Sequence, residues 1–188
     1  MKRLLLVALL FCLSLTARAV EVGGVVLEDS AHLGNSNLLL NGAGVRSKFF
    51  FDLYTVALYL SAKKNSAAAV LADAKEKRIE LYMLRGMRME DMLYRFRSSI
   101  ENNHTDEELH AMKDELHEFE NVFHQMLEVQ AGDVILLDYQ PAIGTQLTLN
   151  GTLRGTIPGR QLYTALLKIW LGEQPAQDDL KLKLLGGQ

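Results

Sequence analysis

The sequence predicts an α+β domain built on an antiparallel sheet, and three observations carry that reading. Strand-like segments come first, two helix-like segments follow one another in the middle, and strand-like segments return before a last helix. The chain therefore lacks the strand–helix alternation of a parallel sheet. Residues 78–84 alternate, with Ile79, Leu81 and Met83 on one face. Asn150-Gly151 separates two short β-rich runs, the strongest short-range sign of a hairpin.

In chain order, Lys2 and Arg3 precede an apolar run from Leu4 to Leu15, and Ala17-Arg18-Ala19 places small residues where a signal peptidase cuts. The run is too short to span a bilayer. We expect a signal peptide of residues 1–19, a single domain of residues 20–188, and a secreted product. Cys12, the only cysteine, falls in the leader. The mature chain then has no disulfide, thiolate metal site or cysteine nucleophile. Loss of the three cations Lys2, Arg3 and Arg18 takes the formal charge from −3 to −6, which argues against nucleic acid as a partner. No later segment is long and apolar enough to span a membrane, and no repeat or Pro-rich linker divides the chain.

Glu21 to Leu27 predicts a first strand and Asn37 to Leu40 a second, with Asn41-Gly42-Ala43-Gly44 as a turn. Ser47 to Leu60, rich in aromatic and β-branched residues, predicts one long or bent strand. Ser66 caps a short helix over residues 67–72. Met89 to Ile100 carries Met89, Leu93, Phe96 and Ile100 at helical spacing. Thr105 and Glu108 form a capping box that opens a helix with a stripe of Leu109, Met112, Leu116, Phe119, Phe123 and Met126. Val134 to Tyr139, Thr145 to Leu149 and Thr152 to Ile157 predict the last strands. Gln161 to Leu171 predicts a helix stopped by Gly172, followed by a short helical tail around Asp178 to Leu185.

Candidate chemistry is sparse. Gly42-x-Gly44 lacks the third glycine of a dinucleotide fingerprint and runs into aromatic strand, where a phosphate site needs a helix N-terminus. His110, His117 and His124 share one helix side, but adjacent members lie about 10.5 Å apart along the axis, too far for one metal ion. No metal site and no catalytic residue are predicted, and no Walker, nucleophile-elbow or zinc-protease motif occurs. Arg46 enters the aromatic segment, where an unpaired guanidinium is costly. Tyr54 is eight residues on, and even spacing in a strand puts both side chains on one face. An arginine with a tyrosine hydroxyl can clamp a carboxylate in an apolar pocket. The plainer reading is an exposed arginine and a core tyrosine.

Three segments in order carry a family resemblance: Gly42-Ala43-Gly44-Val45-Arg46 with the strand ending Val56-Ala57-Leu58-Tyr59-Leu60, then Gly132-Asp133-Val134, then Leu167 to Glu173 with Asp179-Leu180-Lys181. Together they resemble the chalcone isomerase family, most of all its secreted bacterial chalcone-isomerase-like members. The resemblance implies an open-faced β-sandwich, a large antiparallel sheet with helices packed on it and a cleft between. It also implies a bacterial periplasmic location. In the plant isomerases an arginine after the G-x-G segment binds substrate, and Arg46 matches it. Where they use a threonine on the next strand, Tyr54 stands here. Their helix supplies tyrosine, lysine and asparagine; this one offers Asp91, Tyr94 and Ser98, or, shifted by one, Met92, Arg95 and Ser99. The threonine of their last helix is Ile169. Non-catalytic plant members that bind fatty acids keep the arginine and a tyrosine, which Arg46 and Tyr54 resemble.

The expectation is a non-catalytic extracytoplasmic protein binding a small amphipathic or carboxylate ligand such as a fatty acid through Arg46 and Tyr54, without a cofactor. The alternatives are an isomerase or lyase of the chalcone isomerase type, a haem-binding protein using one of His110, His117 and His124, or an interaction module without a small ligand.

Overall fold

The computed structural model describes residues 19–187. The expected signal peptide lies outside these residues except for Ala19, which opens the first strand. In chain order come β1 (Ala19–Val22), β2 (Val25–Glu28), β3 (Ser30–Leu33), β4 (Ser36–Lys48), β5 (Phe51–Leu60), α1 (Ala67–Ala72), β6 (Lys77–Met83), β7 (Met87–Arg88), α2 (Met89–Glu101), α3 (Asp106–Ala111), α4 (Lys113–His124), β8 (Glu128–Val129), β9 (Val134–Gln140), β10 (Gly144–Leu149), β11 (Thr152–Ile157), α5 (Gln161–Leu171) and α6 (Asp178–Leu184). Seven strands form one antiparallel sheet in the order β11-β10-β9-β6-β5-β4-β3. The α+β class and the large sheet with helices packed on it are as expected.

Both faces of the sheet are covered around β5. Tyr54, Val56, Leu58 and Leu60 of β5, with Ile79, Leu81 and Met83 of β6, face the helices. Ala57 and Tyr59 face the other way, into a smaller core with Val25, Leu27, Leu33, Leu38 and Leu40. The β1–β2 hairpin lies on that second face, where the Thr55 hydroxyl donates to the Val22 carbonyl at 3.1 Å and the Tyr59 hydroxyl to that of Glu28 at 3.1 Å. Covering on both sides explains why β5 is a nearly unbroken apolar run.

Four expectations change. The first predicted strand is a hairpin, turned by Gly23 and Gly24 at φ 61° and 78°. The Asn41–Gly44 turn is absent, because β4 runs straight through it. The long strand of residues 47–60 is the end of β4, a tip and β5. At that tip Phe49 takes φ 56°, a conformation that costs a side-chain-bearing residue about 1–2 kcal/mol. Finally, the helix after Thr105 breaks at Met112, whose φ of −110° separates α3 from α4.

The Thr105–Glu108 capping box and the Ser66 cap form as expected. Gly172 does end α5, but in extended backbone. A side chain there would strike Asn103 and the Lys168 carbonyl, so close packing calls for the glycine.

Candidate functional site

The site begins with a bulge. Register shifts between Leu40 and Gly42, so Leu40 and Gly42 lie on opposite faces although their numbers share parity. Gly42, Gly44 and Arg46 therefore follow one another on the helix-facing side of β4, opposite Leu58, Val56 and Tyr54. The bulge residue Asn41 is buried, donating to the carbonyls of Lys64 (2.9 Å) and Leu184 (2.7 Å) and accepting from the Lys64 amide (2.7 Å). The glycines leave bare backbone for α6. A Cβ at Gly42 would strike the Lys183 and Leu184 carbonyls, and one at Gly44 would stand 2.7 Å from Leu180 Cδ1.

Arg46 emerges just beyond the N-terminus of α6. Its Nη1 donates to Gln177 Oε1 at 3.1 Å and to its neighbour's carbonyl at Ser47, and the same Gln177 oxygen accepts from the Ser47 amide at 3.0 Å. Gln177 is the N-cap residue of α6, so docking of α6 aims the half-buried guanidinium. No carboxylate pairs with it among the described residues.

Tyr54 is the register partner of Arg46 across the β4–β5 ladder. The expected shared face is observed, but it arises from direct cross-strand pairing and not from even spacing along one strand. The buried Tyr54 hydroxyl accepts from Trp170 Nε1 at 3.3 Å. An indole only donates, so the phenol proton stays available, and it meets no acceptor among the described residues. Burial pushes the phenol pKa above its ordinary value, against the Trp170 hydrogen bond and the positive charges of Arg46 and Arg95. The hydroxyl thus remains a neutral donor.

Arg46 and Tyr54 open into a cavity of about 210 Å³. Arg95, Ser98 and Ser99 of α2 add polar groups, while Leu53, Met87, Met92, Phe96, Ile169 and Ala176 supply apolar wall. Lys48 and Tyr94 also line it, and no carboxylate does. Cations around a low-dielectric pocket favour an anion. Arg95 is the residue that sequence reasoning passed over. Its signal was the shifted α2 register of Met92, Arg95 and Ser99, all of which reach the wall; of the other register Tyr94 and Ser98 reach it and Asp91 does not.

The histidines separate. His110 and His117 line a cavity of about 440 Å³ between α2, α3 and α4, whereas His124 borders a different hollow beside Met126 and Leu127. No group of three metal-ligating side chains gathers among the described residues. The wall of the cavity of about 440 Å³ carries the carboxylates of Glu101, Asp106 and Glu120 beside Arg97, which holds Glu101 at 3.0 Å and Glu120 at 2.9 Å. The smaller one retains donors without acceptors, which is why it is the candidate site.

Comparison with known proteins agrees with this architecture. A family model described as chalcone isomerase-like matches residues 19–186. Among solved structures, a fatty-acid binding protein of Arabidopsis thaliana superposes with a TM-score of 0.66 at 16% identity, over 89% of this chain and 96% of that one. At that identity the likeness is one of fold. No curated protein matches the sequence.

Proposed function

The chain belongs to the chalcone isomerase-like family, and on that premise we propose that it is a non-catalytic binding protein for a small amphipathic carboxylate such as a fatty acid. It acts outside the cytoplasm, in a bacterial periplasm, once its leader is removed. The observation that carries this reading is the Arg46–Tyr54 cross-strand pair, in which, among the described residues, the guanidinium has no carboxylate partner and the buried phenol proton has no acceptor. A carboxylate supplies what both lack. It accepts from Arg46 and Tyr54 together, and Arg95 adds a second positive charge. The fatty-acid binding printed for the Arabidopsis thaliana protein of the same fold supports the ligand class.

At about 210 Å³ the cavity is smaller than the ~300–1,000 Å³ usual for a small-molecule site. It accommodates a head group and the first few methylenes. A longer tail passes between the exposed Lys48 and Tyr94 or displaces the adaptable side chains of Met87 and Met92. Cyclisation chemistry has less support, because Ile169 stands at the last-helix position where the isomerases use a threonine and Asp91 stays out of the wall.

The test is native mass spectrometry of the purified protein titrated with fatty acids of increasing chain length, beside Arg46→Ala. Loss of one charge-assisted bond, about 2–3 kcal/mol, should weaken binding by roughly 30- to 150-fold. A protein that takes up no fatty acid, or a variant that binds equally well, overturns the assignment.

A further inference from the structure

Phe49, Phe50 and Phe51 stand consecutively at the β4–β5 tip, exposed by 86, 99 and 56%. Contiguous apolar surface of this kind marks an interaction site. Phe49 moreover occupies a left-handed position, φ 56°, where glycine or asparagine is the relaxed choice. Neither burial nor backbone geometry accounts for these rings.

Cations surround them. Lys48 Nζ lies 5.9 Å from the Phe49 ring centroid, and the Arg85 guanidinium 4.5 Å from that of Phe51. Neither has a carboxylate partner among the described residues. The adjacent acid, Asp52, accepts from the Ser47 hydroxyl at 2.6 Å. Lys48 also borders the Arg46–Tyr54 cavity, with Tyr94 (74% exposed) and the exposed Arg95 across its mouth. An apolar protrusion ringed by unneutralised cations, on a chain of net charge −3, is complementary to an anionic bilayer surface. There phenyl rings enter the acyl–headgroup boundary and cations meet phosphates. A second copy would bring Lys48 and Arg85 against the same charges.

We propose that the β4–β5 tip docks the protein on an anionic phospholipid surface, through Phe49 and Phe50 with Lys48 and Arg85, and turns the cavity mouth toward the lipid. This goes beyond ligand binding and is read without it. The test is co-sedimentation of the purified protein with phosphatidylethanolamine vesicles, with and without phosphatidylglycerol.

Wild-type protein should pellet with the phosphatidylglycerol vesicles. F49G/F50S should bind at least about tenfold more weakly, with a thermal midpoint equal to or above wild type. K48Q/R85Q should lose about fivefold per charge, with the remaining binding less sensitive to salt. Equal sedimentation of F49G/F50S and wild type overturns the proposal, as does a wild type that stays in the supernatant with every vesicle. A dimer that dissolves in F49G/F50S without any vesicle binding overturns it in favour of self-association.

Discussion

The indole nitrogen of Trp170 donates to the hydroxyl of Tyr54 across 3.3 Å, joining α5 to the sheet beneath the candidate site. Trp170 is fixed on its other side by an edge contact with Phe96, ring centroids 5.6 Å apart. Tyr54→Phe keeps the packing but strands a buried N–H, which should cost about 1–3 kcal/mol in urea unfolding. It also removes a ligand donor, so fatty-acid affinity should fall by about tenfold. Trp170→Phe should leave affinity nearer to wild type, since the Tyr54 proton survives. Equal affinity in Tyr54→Phe and wild type would separate this hydroxyl from the site.

Gly42→Ala places a methyl against the backbone of α6, where the atoms struck are carbonyl oxygens that cannot swing aside. Overpacking of this kind costs about 1–3 kcal/mol. A lowered thermal midpoint and faster amide exchange in residues 178–184 should appear together. Loss of midpoint with full protection of those residues would contradict this account of α6.

Arg78 and Asp138 pair across β6 and β9 with two bonds of 2.7 and 2.8 Å, their side chains 15 and 8% exposed. The pair holds the Arg78 pKa above its ordinary value, chiefly through the hydrogen bond to Asp138. Asp138→Ala leaves a half-buried guanidinium with Glu80 as its remaining charge partner, and about 1.5–3 kcal/mol of stability should disappear. Arg78→Met with Asp138→Leu should recover most of it. A double variant no better than the single would show that the pair contributes more than mutual neutralisation.

Lys77 is buried, with Nζ donating to the carbonyls of Asp73 (2.5 Å) and Lys75 (2.9 Å). Burial brings its pKa down to about 8 from 10.5, partly offset by Asp73. Between these values the unfolded chain holds more protons than the folded one, so stability rises with pH. From pH 7 to 10 the gain should be about 2 kcal/mol. Above pH 10 it should reverse, because burial raises the pKa values of Tyr59 and Tyr163. Urea midpoints should climb for wild type from pH 7 to 9, before the tyrosines of the unfolded chain titrate, and stay flat there for Lys77→Met. A wild-type profile that is flat over the same range would mean the ammonium is not desolvated.

Local chemistry made much of this fold readable. Ile79, Leu81 and Met83 alternate because one face of β6 meets the helices, and Asn150-Gly151 turns because both residues reach positive φ, 50° and 76°. What escaped depends on distant partners. Nothing near Gly42 indicates that a helix from residues 178–184 will lie on it, so a strand looked like a turn. The Phe49 tip carries no glycine, proline or asparagine, so a hairpin looked like one strand. The site was half legible: Arg46 and Tyr54 meet through strand pairing, while Arg95 joins them only once α2 is rotated onto the sheet.

The seating of α6 on β4 also sets an order of events. The Asn41 amide closes on the Leu184 carbonyl, a partner 143 residues further along. The glycine stretch of β4 cannot be sealed until synthesis has passed Leu184, and closing so long a loop is slow.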